Sequence, residues 1–184
     1  MEILLQFLAT KAVAALIGVV ALLGVKKADV VLSKPEVKIL YDSIHINTSL
    51  KNSFPEELEK IILSGTPVTI RLKISYSTKD TTLNQEISHR IKYDLASKTF
   101  LFVSFCGETI TSPIKLKDID SAKKSMNKFN VGVGLNPAPT GKEITVIMRA
   151  IIDPIRIGAI GNKDFELMAF WDYHTPTLKF VIKQ

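Results

Sequence analysis

From Val37 onward the chain alternates apolar and polar side chains with the period of two that a half-buried strand requires. "PVTIRLKISY" shows it most clearly. Val68, Ile70, Leu72, Ile74 and Tyr76 fall on one face, and Thr69, Arg71, Lys73 and Ser75 on the other. "QEISHRIKYDL" alternates again, with Ile87, Ile91, Tyr93 and Leu95 on one side, and the intervening "STKDTTLN" has the composition of a turn. "VKILYDSIHINTSL" changes parity near Asp42 and Ser43, which predicts a bulge or a turn there. "SKTFLFVSFCG" is apolar at both parities, as expected of a strand covered on both faces. "NVGVGL" reads as an edge strand, and "EITVIMRAII", "DFELMAFWDY" and "TLKFVIK" as three later strands.

Two stretches break the alternation. "SFPEELEKIILSG" offers Ser53 as an N-cap, Pro55 and two glutamates in a first turn, and Gly65 as a stop, so it predicts a short helix. "LKDIDSAKKSMNKF" predicts a second, with Leu116, Ile119, Ala122 and Met126 inward. About eight strands with two short helices, and no regular long helix between strands, exclude a parallel α/β sheet. The expected fold is mainly β: an antiparallel β-sandwich with two short helices over residues 37–184.

The N-terminal residues follow no strand period. Residues 12–25 carry no charged or strongly polar side chain. Fourteen helical residues rise only about 21 Å, against a hydrocarbon core of about 30 Å. Extension back to Ile3 makes the segment long enough to span, at the cost of including Lys11. The aliphatic residues around it outweigh one snorkelling lysine on insertion scales. "GVKKADVVL" lacks the small-x-small pattern of a signal-peptidase site. Residues 1–27 are therefore expected to be an uncleaved, single-pass transmembrane helix, and 28–36 a juxtamembrane connector. Thr10, Ala14, Gly18 and Ala21 recur on one helical face beside Lys11, a small-residue surface of the kind along which membrane helices pack closely.

Charge refines this picture. The 184 residues carry a formal net charge of +6. Residues 1–27 hold Lys11, Lys26 and Lys27 against Glu2, a net of +2, which leaves +4 for the remainder. The cations are scattered, without the dense stripe nucleic-acid binding requires. With a hairpin turn centred between Asp80 and Thr81, Arg71 would face Arg90, Lys73 would face Ser88, and Thr69 would face Lys92. Arg71, Lys73, Arg90 and Lys92 then form a basic patch for lipid head groups or an acidic partner. The plain alternative is a solvated face balanced by Glu86 and Asp94.

Chemistry is sparse. Cys106 is the single cysteine, so no internal disulfide and no cysteine-based zinc site can form within one chain. Its apolar flank suggests a buried, inert thiol. His45, His89 and His174 share no ligand spacing, and His89 lies in phase with Ile87 and Ile91, as a hydrogen-bonded core histidine would. Asp172 and His174 could orient an imidazole for base catalysis, but no nucleophile elbow accompanies them. No catalytic residue, metal site or cofactor is expected.

Taken in order, "ELEKIILSGTPVTIRLKISY", "HRIKYDLASKTF", "VIMRAIIDPIRI" and "FELMAFWDYHTP" resemble the uncharacterised bacterial "domain of unknown function 4390" family over roughly residues 35–175. The resemblance implies an inner-membrane anchor with the bulk of the chain in the periplasm. It carries over no catalytic or binding residues, and the tryptophan-rich stretches of the family pattern are reduced here to Trp171. The expected function is a non-enzymatic structural or interaction subunit of a bacterial envelope assembly. Its expected partners are membrane lipid, other envelope proteins, or a second copy met through the N-terminal helix. The alternatives are a carrier of lipid or another apolar molecule between the sheets, and a hydrolase built on Asp172 and His174.

Overall fold

The computed structural model describes residues 30–40, 43–107, 109–134, 143–153, 155 and 174–183. The expected membrane helix, with Thr10, Lys11, Ala14, Gly18 and Ala21, lies outside the described residues, as do Asp172 and the stretch read as the strand "DFELMAFWDY". Among the described residues, no helix is long and apolar enough to cross a membrane.

The chain is mainly β, with two antiparallel sheets and two short helices. In the smaller sheet, β3 (Ser43–Lys51) is the centre. β9 (Lys128–Gly134) pairs along one edge, while β1 (Val31–Leu32) and β2 (Glu36–Leu40) share the other. The parity change falls between β2 and β3, which pair antiparallel with Leu40 opposite Ser43. The larger, seven-stranded sheet runs β11 (Leu178–Ile182), β10 (Ile144–Ile152), β4 (Val68–Ser77), β5 (Thr82–Asp94), β6 (Thr99–Cys106) and β7 (Thr109–Ile110), with β8 (Ile114–Leu116) also on β6.

Alternation sends one set of side chains from each sheet into a common core. Ile44, Ile46, Phe129 and Val131 come from the smaller sheet, and Ile70, Leu72, Ile91, Val146 and Met148 from the larger; all are essentially inaccessible to water. At about 25 cal/mol per Å² of apolar surface, such burial is the main stabilising contribution. The two antiparallel sheets sharing one core are consistent with a sandwich-like fold.

Helix α1 (Glu56–Leu63) buries Leu58, Ile61 and Ile62, and Gly65, at φ +87°, closes it. Helix α2 (Ile119–Asn127) starts at Asp118, whose carboxylate accepts the Ser121 N–H at 2.7 Å. An ion pair of Lys123 with Glu59 ties the helices together.

Three local expectations change. Ser53 does not cap α1; Pro55 occupies that position, and the buried Ser53 hydroxyl donates to the Asn127 side chain at the end of α2. The connector does not stay outside the domain. Val30 is buried, β1 pairs with β3, and the Ser33 hydroxyl accepts the Ser49 N–H at 2.9 Å. Cys106 is exposed, because β6 is flanked on one side only by the short strands β7 and β8.

His89 joins sheet to helix. Its ring stacks on Phe129 with centroids 4.2 Å apart and meets Phe102 edge-on at 5.2 Å. A carbonyl can only accept, so the imidazole Nδ1–H donates to Met126 O at 3.1 Å and satisfies one of the carbonyls left open at the end of α2. Burial holds the His89 pKa below its ordinary value, outweighing the Met126 bond, which acts in the opposite direction. The folded protein therefore keeps His89 neutral where the unfolded chain already binds a proton. Stability should fall as pH drops from the unfolded value near 6.5 toward the folded one, by up to about 1.4 kcal/mol per pH unit for one proton. Urea unfolding between pH 7.5 and 5 checks this, and His89→Phe should flatten that part of the pH profile.

Candidate functional site

The outer face of the larger sheet collects the side chains that alternate away from the core. Arg71 and Lys73 stand on β4, Arg90 and Lys92 on β5, and Arg149 and Lys179 on the other side of β4, with Lys115 opposite Leu101 beyond Lys92. Glu86, Asp94 and Asp153 are the carboxylates beside them. Seven cations against three carboxylates leave an excess of four on this face, as large as the net charge of residues 28–184. Among the described residues the domain is therefore electrically lopsided in a way its scattered sequence charges do not suggest.

The β4–β5 register differs from expectation by two residues. Thr69 faces Arg90, Arg71 faces Ser88 and Lys73 faces Glu86, because the turn is centred between Lys79 and Asp80. The hairpin is closed there by Thr78 and Thr81, whose backbone groups bond at 2.8 Å. A shift of two preserves every face assignment but changes every partner. Arg71 consequently meets no cation across the hairpin. Its Nη2 donates to Asp153 Oδ2 at 2.6 Å, its Nε lies against Asp153 Oδ1, and its Nη1 donates to Glu86 Oε1 at 3.2 Å. Asp153, first among these contacts, raises the Arg71 pKa further.

The remaining residues of the expected patch behave differently from one another. Arg90 donates from Nε to Thr69 Oγ1 at 3.2 Å and lays its guanidinium 5.3 Å from the Phe105 ring centroid. That geometry holds the cation in place while leaving it positively charged. Lys92 lines a second concavity, of about 570 Å³, with Lys115, Leu101 and the turn at Gly65. Lys73 faces Arg149 directly across the β4–β10 pair.

Sequence reasoning missed Arg149. The stretch "EITVIMRAII" reads only as a strand, and the neighbour of Arg149 depends on a pairing between segments some seventy residues apart. Of the two residues considered for catalysis, Asp172 lies outside the described residues. His174 forms an isolated β-bridge with Ile151, at the margin of β10. Among the described residues, no group of three or more His, Cys, Asp or Glu side chains could hold a metal ion.

No protein-family model, curated protein or solved structure matches the chain.

The Arg71 cluster makes a quantitative expectation possible. Both Arg71 and Glu86 are more than a third exposed, so their pairing is screened by solvent, whereas the Asp153 side chain is only 20 % exposed. Arg71→Gln should cost about 1 kcal/mol by leaving Asp153 without its cation, and Glu86→Gln about half of that or less. Urea midpoints of the two variants, measured at low and high salt, check the order.

Proposed function

We propose that the chain is a membrane-anchored, non-enzymatic interaction subunit of a bacterial envelope assembly, and that the outer face of the larger sheet is its contact surface. The observation that carries this reading is the concentration of cations on one broad, regular face. Strands held by a packed core present side chains at fixed spacing, which suits a surface that recognises by charge pattern. The apolar segment of residues 1–27 supports the anchor, and the order of elements supports the resemblance that implies an inner-membrane, periplasmic setting. In finer detail we take the fold as an antiparallel sandwich, with the contact face on its outside.

Burial of Val30 adds a constraint to this reading. From Lys27 to Val30 the chain can extend at most about 11 Å. An anchored domain would thus sit close to the lipid surface, with few orientations open to it. The carrier reading has less support, because buried side chains, the His89–Phe129 stack among them, occupy the space between the sheets.

Two measurements test the proposal. Intact mass of the membrane-extracted protein should retain residues 1–27, and a mature N-terminus near Asp29 would sink the anchor. If Thr10, Ala14, Gly18 and Ala21 pack against a second helix beside Lys11, Gly18→Leu should lower crosslinking in membranes by about tenfold. Leu16→Ala, on the opposite face, should change it little. Equal yields from the two variants would leave the helix an anchor only.

A further inference from the structure

We infer that Lys73 and Arg149 form an oxyanion site that takes a phosphoryl group. The inference rests on the outer face being the contact surface and names the chemistry of what is contacted there. The register places Lys73 directly opposite Arg149 on antiparallel strands. Residues so placed have their Cβ atoms about 4.5–5.5 Å apart, and like charges at that distance are destabilising. Alternation along β4 and β10 leaves neither residue a way to turn inward, since Leu72, Ile74, Met148 and Ala150 on either side fill the core.

The carboxylates that could relieve the repulsion are engaged elsewhere. Asp153 takes two contacts from Arg71, and Glu86, although cross-strand from Lys73, accepts from Arg71 as well. Among the described residues neither Lys73 nor Arg149 has a carboxylate within ion-pair range. The two cations flank a concavity of about 420 Å³, also lined by Ser75, Asn84, Thr177 and Glu86, whose carboxylate accepts from Arg71. A forked guanidinium, a mobile ammonium and neutral hydroxyl and amide donors around one hollow match a tetrahedral oxyanion with several acceptor oxygens. A phosphoryl group inserted between the cations would convert a repulsive pair into a bridged one. Its source would be either a lipid headgroup or a soluble phosphate.

The test follows thermal unfolding of the full chain in detergent, in sodium phosphate and in sodium chloride at equal ionic strength. Phosphate should raise the midpoint by roughly 2–4 °C over chloride. Lys73→Gln and Arg149→Gln should each abolish that increment while leaving the midpoint in chloride equal or higher, because each removes a like-charge contact. A purely structural role would instead lower the midpoint in chloride. No increment in the unmodified chain, the same increment in both variants, or an equal increment from acetate would overturn the site. Nanodiscs of phosphatidylcholine with and without phosphatidylglycerol identify the source. An increment from phosphatidylglycerol that both variants lose assigns the site to a headgroup, and one seen only with free phosphate assigns it to a soluble ligand. The detergent measurement does not involve the anchor, so loss of residues 1–27 from the mature protein would leave this result standing, and the reverse also holds.

Discussion

The register of β4 between β10 and β5 is the constraint on which the rest of the molecule depends. All ten residues of this strand, Val68–Ser77, pair with β5, and eight of them, Ile70–Ser77, pair with β10 as well. Its inward residues are buried almost completely, from Val68 to Tyr76. A slip of one residue would send Ile70, Leu72 and Ile74 into water and Arg71 and Lys73 into the core, at a cost of several kcal/mol for each ion. A slip of two would keep the faces but put Arg71 opposite Arg90, the like-charge arrangement. The register adopted gives Arg90 the Thr69 hydroxyl and leaves Arg71 to Glu86 and Asp153. On the β10 side the same fixed spacing brings Lys73 to Arg149 with nothing between them to compensate.

How much of this was legible in the sequence follows from the range of each interaction. Period-two alternation assigned the faces of β4, and of β5 as far as Tyr93, because burial is decided residue by residue along one strand. Leu95, expected inward, lies past the end of β5 and is exposed. The helices were legible from capping chemistry, although Pro55 rather than Ser53 precedes the first, since Ser53 is drawn away to Asn127 by tertiary contact. The hairpin register was not legible. "STKDTTLN" allows turn centres that differ by one residue, and moving the centre by one moves the pairing by two while every buried side chain stays buried. The choice is made by side chains outside the hairpin. Asp153 is eighty-two residues from Arg71 along the chain and carries no local mark of its partner.

Cys106 failed for a related reason. An apolar strand at both parities implies cover on both faces, yet Phe100 and Phe102 are buried on one face while Leu101, Val103 and Phe105 on the other are only half-buried. Cover at an edge is a different matter, set by whatever strand lies beyond. Here β7 and β8 contribute only two and three residues, so the end of β6 is left to solvent, with Ile110 and Ile114 strongly exposed beside it. An edge strand and a central strand have the same local composition when the edge is partly covered, so periodicity does not separate them.

If residues 1–27 anchor the chain, the length of chain between them and the domain decides what affinity the proposed contact face would need. A long flexible linker would let the domain sample a large volume, and a lipid headgroup would have to be bound tightly to be held. Burial of Val30 and pairing of β1 with β3 leave almost no such linker. On the reading of residues 1–27 as an anchor, headgroups are then present at the domain surface at millimolar effective concentration or above, and weak sites suffice. The same shortness restricts orientation, so only a face that can tilt toward the bilayer within about 11 Å of tether gains from it. A pair of cations held apart by rigid strands, each too exposed for tight binding of a free ion, is suited to that regime. Its repulsion is a small, constant cost to the fold, and its relief requires no conformational change, because β4 and β10 already hold both charges in place.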